Sequence, residues 1–204
     1  MGEPTAIVLA NMEGFRGSER GLIPIAGRPM IEYVLEAIPD EVTDILIAVK
    51  DRGCVEAYDE LAEKYWARVV VSGPAHGSIR KQVEFAVEAA AGDSVVILPC
   101  NAPLITREFT NFLVEASQKF SAVLPRNHLR RVTYLMASYR RKPFIEAFAA
   151  HPEEEMDELV RKVRRVLYLS SNSLRIFDEK LAMFFRVKAP SDVRRAEKYL
   201  RRRL

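Results

Sequence analysis

The chain has 204 residues, of which 49% are hydrophobic and 29% charged, with a formal net charge of +3. This is ordinary globular composition with enough length to bury a core, and no apolar run approaches the roughly 18 residues of a membrane span. Residues 1–5 lack a basic segment followed by an apolar one, and Cys54 and Cys100 have no CxxC spacing, so export, a membrane partner, a zinc site and a disulfide frame are not expected; the expectation is a cytoplasmic protein with two buried thiols.

In chain order, residues 6–10 make a short uninterrupted apolar run, the pattern of a parallel strand buried on both faces. The C-terminal end of such a strand is where open α/β sheets place ligands. A loop with Gly14, Gly17 and Gly21 follows, carrying Arg16 and Arg20. Glycines there allow positive φ and bring backbone N–H groups close to phosphate oxygens, while the two guanidinium forks supply matching charge. The loop reads either as a phosphate site for a nucleoside triphosphate or as an ordinary strand-to-helix connection with solvated arginines. Pro29 stands at a first helical position, and Ile31, Val34, Leu35 and Ile38 form one apolar face before Pro39 ends it.

Residues 44–49 form a second buried strand, 54–66 an amphipathic helix, 68–71 a third strand, 78–90 a helix, and 94–98 a fourth strand. This alternation predicts a parallel sheet with helical crossovers, hence an α/β fold. Thr106 reads as the N-cap of a helix whose buried face is Phe109, Phe112, Leu113 and Ala116. Strands are then expected at 121–124, 132–139 and 165–169, and helices at 142–151 and 156–163. Most arginine pairs lie beside acids at helical spacing, so they read as solvated, ion-paired faces, and no nucleic-acid partner is expected. Trp66 reads as packing at a helix end, and His76, His128 and His151 lack metal-ligand spacing.

The same residues carry a resemblance. A strand followed by Leu9-Ala10, Gly14, Arg16, Arg20, Leu22, Pro24, Gly27 and Pro29 is similar to the signature loop of the MobA-like nucleotidyltransferases, and within them most to the molybdenum cofactor guanylyltransferases. Ala102-Pro103-Leu104 matches the family's motif after the strand at 94–98, and Phe184, Phe185, Pro190, Asp192, Arg195, Ala196 and Glu197 match its closing segment in order. The resemblance covers residues 5 to about 198. It implies a three-layer α/β/α, Rossmann-like (GT-A-like) nucleotidyltransferase fold in one domain, with 1–105 as the nucleotide-binding half and 106–204 as the acceptor-side half. It implies an NTP substrate, GTP favoured, and a phosphate-bearing small-molecule acceptor such as molybdopterin. Arg16 and Arg20 would act on the triphosphate, and Leu9, Ala10, Asn11, Gly14, Gly77 and Ser78 would bind the nucleotide. Asn101 would hold Mg²⁺.

Several positions depart from the family pattern. Asn11 and Met12 stand where it has paired glycines, Arg20 where it has lysine, Asn101 where an aspartate holds the metal, Val71 or Ser72 where a further aspartate stands, and Arg186 and Lys188 where it has asparagines. A neutral amide holds a hard dication less strongly than a carboxylate, and added positive charge makes the cation less welcome. Two readings follow: a nucleotidyltransferase that passes NMP from an NTP to an acceptor phosphate, or a catalytically degenerate nucleotide- or partner-binding module of the same fold.

Overall fold

The computed structural model describes residues 2–12, 14–15, 19–73, 78–127 and 129–201. Its first strand, β1 (Pro4–Leu9), sends alternate side chains to opposite faces, as the two-residue period of a strand requires. Ala6, Val8 and Ala10 enter one apolar cluster, and Ile7 and Leu9 enter another. A strand apolar on both faces can only be satisfied between two helical layers. After a 3₁₀ turn at Arg20–Leu22, the hairpin β2 (Pro24–Ile25) and β3 (Arg28–Pro29) turns through Ala26 and Gly27, whose φ values of 49° and 80° suit a two-residue loop.

Next come α1 (Met30–Leu35), β4 (Asp44–Val49), α2 (Glu56–Lys64), β5 (Ala67–Val71), α3 (Ile79–Ala89) and β6 (Ser94–Pro99). The second half holds α4 (Arg107–Ser117), β7 (Ala122–Pro125), β8 (Ala137–Arg140), α5 (Arg141–Ala150), α6 (Met156–Lys162), β9 (Val166–Leu169), α7 (Ser171–Leu174) and α8 (Pro190–Leu200). One seven-stranded sheet takes strands from both halves in the order β5-β4-β1-β6-β8-β7-β9. Only β8 runs against the rest. Residues of α1, α2 and α4 complete the cluster on one face, and those of α3, α5 and α6 the cluster on the other, giving the expected α/β/α layers.

The alternation up to β6 matches the sequence reading to within a residue or two, save that α1 stops at Leu35, three residues short of the Ile38 expected on its apolar face, and Thr106 caps α4 by accepting from Phe109 N. The strand expected at 132–139 is corrected: only Ala137–Arg140 is extended. Val132 makes a single bridge with Arg126, and Thr133 returns both N–H and Oγ1 to Pro125 O. The chain then turns at Tyr134, whose carbonyl accepts from the buried Tyr139 hydroxyl and whose own hydroxyl meets Asp157. Side-chain hydroxyls here hold a turn against a run of high strand propensity. Trp66, at φ 53°, is 89% exposed and packs in neither core. No helix among the described residues is long and apolar enough to cross a membrane.

Candidate functional site

β4, β5, β1 and β6 run parallel, so their C-terminal ends share one edge, and the segments leaving them are brought together there. Past β1, Ala10 N still donates to Ala48 O (2.8 Å). Asn11 then departs from the ladder. It is 4% exposed, and its Nδ2 donates to Oγ of Ser72, which follows β5, at 3.0 Å. Its Oδ1 is buried without a partner among the described residues. A buried acceptor left unpaired costs about 1–3 kcal/mol, so this oxygen favours any ligand N–H or O–H that reaches it.

Asn101 follows β6, as expected, yet it is only 5% exposed. Its Nδ2 donates to Val187 O (3.1 Å), and its carbonyl accepts from Val187 N (2.9 Å). Arg20 Nη1 donates to the same Val187 O at 3.2 Å, and its guanidinium lies 5.5 Å from the centre of the Phe15 ring. One backbone carbonyl therefore gathers the residues expected at a phosphate and at a metal. Val187 is held there by a small apolar cluster with Ile25, Met30 and Ala196, which ties the segment to α1, β2 and α8.

Beside this hub lies Arg186. Its Nη1 is sealed from solvent and has no hydrogen-bond partner among the described residues. Burial pushes its guanidinium down to about 10, and the nearby Cys100 only partly opposes this. Burial likewise pushes the Cys100 thiol up to about 12, while Arg20 and Arg186 both pull it back, which puts two positive charges around one buried sulfur. Cys54 is buried too. Its Sγ lies 3.2 Å from Glu19 Oε1, so the carboxylate of this loop faces a thiol.

These residues do not fit a divalent cation. The amide nitrogen of Asn101 is committed to a carbonyl, which leaves one neutral oxygen, and two guanidinium groups crowd the neighbouring residue. No group of three or more His, Cys, Asp or Glu side chains able to hold a metal occurs among the described residues.

The other expected site residues fall as follows. Leu9 has its side chain fully buried and its carbonyl accepting from Cys100 N (3.0 Å), so only the residues after it meet the edge. Gly14 is half-buried in the loop. Ser78 caps α3, its Oγ accepting from Lys81 N (3.4 Å). Arg16, Gly17, Gly77, His76 and His128 lie outside the described residues. Gly21 corrects the reason given for its presence: the described glycines with positive φ include Gly27 and Gly73 but not Gly21. A Cβ at Gly21 would instead stand 2.8 Å from the buried Tyr58 hydroxyl, so close packing demands glycine. The Val187 carbonyl was not foreseen, because a backbone acceptor leaves no mark on residue type; the nearest signal was the pair of basic residues flanking it.

Clefts of about 590 and 610 Å³ lie beside α5, bounded by residues such as Pro143 and Glu146, and take no residue from the ends of β1, β4 or β6.

Comparison with known proteins settles the family. The model of the MobA-like NTP transferase domain matches residues 6–168. The chain belongs to this family. Among curated relatives, a probable molybdenum cofactor guanylyltransferase of Pelotomaculum thermopropionicum is 26% identical over 198 residues, covering 95% of this chain and 92% of the relative. One of the same name from Methanothermobacter thermautotrophicus is 26% identical over 203 residues, covering 92% and 95%. Among solved structures, molybdopterin-guanine dinucleotide biosynthesis protein A of Archaeoglobus fulgidus superposes with a TM-score of 0.70 at 22% identity over 97% of this chain and 99% of that one. The 4-diphosphocytidyl-2C-methyl-D-erythritol synthase of Anaerococcus prevotii gives 0.71 at 15% identity, covering 97% and 96%. The Rossmann-like, mostly parallel nucleotidyltransferase fold is thus shared with structures whose names differ in the nucleotide, and membership of the NTP transferase family is carried by the sequence match.

Proposed function

We propose that the chain is a guanylyltransferase that transfers GMP from GTP to the phosphate of a molybdopterin-type acceptor. The observation that carries this reading is the match, over nine-tenths of each chain, to curated relatives named molybdenum cofactor guanylyltransferase. The geometry agrees with it: a buried orphan acceptor at Asn11 and paired guanidinium groups around Cys100 stand on one sheet edge, a polar contact for a base beside positive charge for phosphates.

In the proposed reaction an oxygen of the acceptor phosphate forms a bond to the α-phosphorus of GTP. The bond from that phosphorus to the bridging oxygen breaks, and pyrophosphate leaves with the electron pair. An ionised acceptor phosphate needs no general base. What this chain supplies is positioning and charge: the loop from Ala10 to Gly14 lies along the nucleotide, Arg16 and Arg20 offset charge gathering on pyrophosphate, Gly77 and Ser78 lie against the nucleoside, and the half from residue 106 onward holds the acceptor.

A ligand bound only by the folded state raises stability by RT ln(1 + [L]/Kd), about 2.7 kcal/mol at a hundredfold excess over Kd. For a domain of this size that is a rise in Tm of about 5–10 °C. A thermal-shift panel of GTP, CTP, ATP and UTP, each with and without Mg²⁺, should show this rise for GTP above the others. A larger rise with CTP would reassign the base, and no rise with any of the four would remove the nucleotide reading altogether.

A further inference from the structure

Two arginines with buried guanidinium nitrogens make an instructive contrast, Arg80 as a buried residue and Arg186 as a half-buried one whose Nη1 is sealed. Arg80, 6% exposed, has its guanidinium answered on all sides: Nη1 donates to His151 O (2.7 Å) and Glu154 O (2.6 Å), Nη2 to Phe148 O (3.4 Å), and Nε lies 3.6 Å from Glu84. It is a structural clamp between α3 and the end of α5. Arg186 is the opposite case, with Nη1 sealed from solvent and no acceptor for it among the described residues. Unpaired buried donors of a charged group are among the most costly features a fold can carry. Sites of this kind persist where a ligand completes them.

The surroundings say what the ligand must be. Arg186 adjoins Val187, whose N–H and C=O both bond Asn101 at the end of β6 and whose carbonyl also receives Arg20. The guanidinium itself lies beside Cys100, the residue before Asn101, so it stands at the end of β6, in the place where the family pattern has a carboxylate and this chain has a neutral amide.

We infer that Arg186 stands in for a divalent cation, its half-buried guanidinium supplying the charge beside the phosphate oxygens of the bound nucleotide, so that this chain holds its nucleoside triphosphate without a metal. The inference rests on the nucleotide reading above. A fixed guanidinium offers one positive charge and directional donors where a dication offers two charges and open coordination. Loss of the carboxylate at position 101 and gain of a cation at 186 are then two halves of one exchange: a carboxylate near the phosphates is useful only while a dication lies between them.

The test is calorimetric titration of GTP and of guanosine into the full chain, in EDTA and in Mg²⁺, for wild type and Arg186→Met, with the melting temperature of each free protein. Wild type should bind GTP in EDTA as well as in Mg²⁺. R186M should lose about tenfold to a hundredfold in GTP affinity in EDTA, the range of a charge-assisted hydrogen bond, and bind guanosine unchanged. Its free form should melt no lower than wild type, since an unpaired buried charge has been removed. GTP binding by wild type only in Mg²⁺ would overturn the inference and leave the nucleotide reading standing. So would R186M binding GTP in EDTA as wild type does, and a lowered melting temperature with unchanged GTP affinity would make Arg186 structural. Absence of GTP and guanosine binding in both buffers would remove the nucleotide reading itself, and this inference with it. If R186M does not fold, Arg186→Lys decides: it keeps the charge and loses the fork, so metal-free GTP binding should persist but weaken, and affinity equal to wild type would overturn the assignment.

Discussion

At the scale of single residues, two positions show how the same residue type can be required for different reasons. Gly27 sits at φ 80° in a two-residue hairpin, with nothing within 4 Å of where a Cβ would stand. Its constraint is the backbone, since side chains with a Cβ rarely adopt that region. Gly21 is constrained by space. A methyl group there would meet the Tyr58 hydroxyl at 2.8 Å, its ring at 3.2 Å and Ile31 at 3.4 Å, and Tyr58 is itself fully buried. Overfilling such a place costs about 1–3 kcal/mol. Gly21→Ala should therefore lower the urea midpoint, with an unchanged m-value, while Tyr58→Phe, which removes the obstructing oxygen, should relieve part of the loss in the double variant. Additive losses in the double variant would show that the two side chains do not compete for the same space.

At the scale of elements, the closing segment shows how a helix far along the chain shapes the sheet edge. Asp192, in the first turn of α8, accepts from Lys188 N and Ala189 N, both at 3.0 Å, and so satisfies donors at the helix start from within the helix. Glu197 on the same helix accepts from Ala26 N (3.2 Å) in the β2–β3 turn, and Arg195 lies 5.1 Å from the Phe185 ring centre. These contacts fix residues 185–189, and with them the Val187 carbonyl that Arg20 and Asn101 share. Asp192→Ala should cost about 1–2 kcal/mol in chemical denaturation, as loss of a helix cap does, and it should weaken GTP binding as well because the hub loosens. A stability loss of that size with GTP affinity untouched would separate the helix cap from the site.

At the scale of the whole molecule, the sheet keeps several ionisable groups in their neutral forms, and this gives the fold a pH signature. Burial, reinforced by hydrogen bonds to Glu19 and Asp51, raises Cys54 from 9.0 to about 11, and burial raises Cys100 from 9.0 to about 12. Tyr58 and Tyr139 are raised as well, by burial first. A group whose pKa is higher folded than unfolded contributes stability in full below its unfolded value and loses it as pH climbs through its folded one. Denaturation midpoints should thus be insensitive to these thiols up to about pH 9 and fall from there toward pH 11 and 12. In the folded protein at about pH 8 both thiols should resist a thiol reagent and react once denaturant is added, since the thiolate is the reactive species. Rapid labelling of either cysteine without denaturant would contradict this burial. The sequence by itself determined the layers and the ligand edge: strands such as 6–10 and 94–98 are apolar on both faces, and local periodicity records which elements must be covered by helices. It also set the expectation of a phosphate site in the loop after the first strand, because glycines, arginines and motif spacing are properties of residue type. Only the tertiary structure decided that Arg186 seals its Nη1 with no acceptor among the described residues, that Asn101 and Arg20 converge on the Val187 carbonyl, and that the run at 132–136 turns instead of pairing. Those outcomes depend on contacts between segments far apart in the chain, 86 positions for Asn101 and Val187 and 167 for Arg20 and Val187, and on which partners remain once every backbone group has been satisfied, a balance that no local pattern of residues contains.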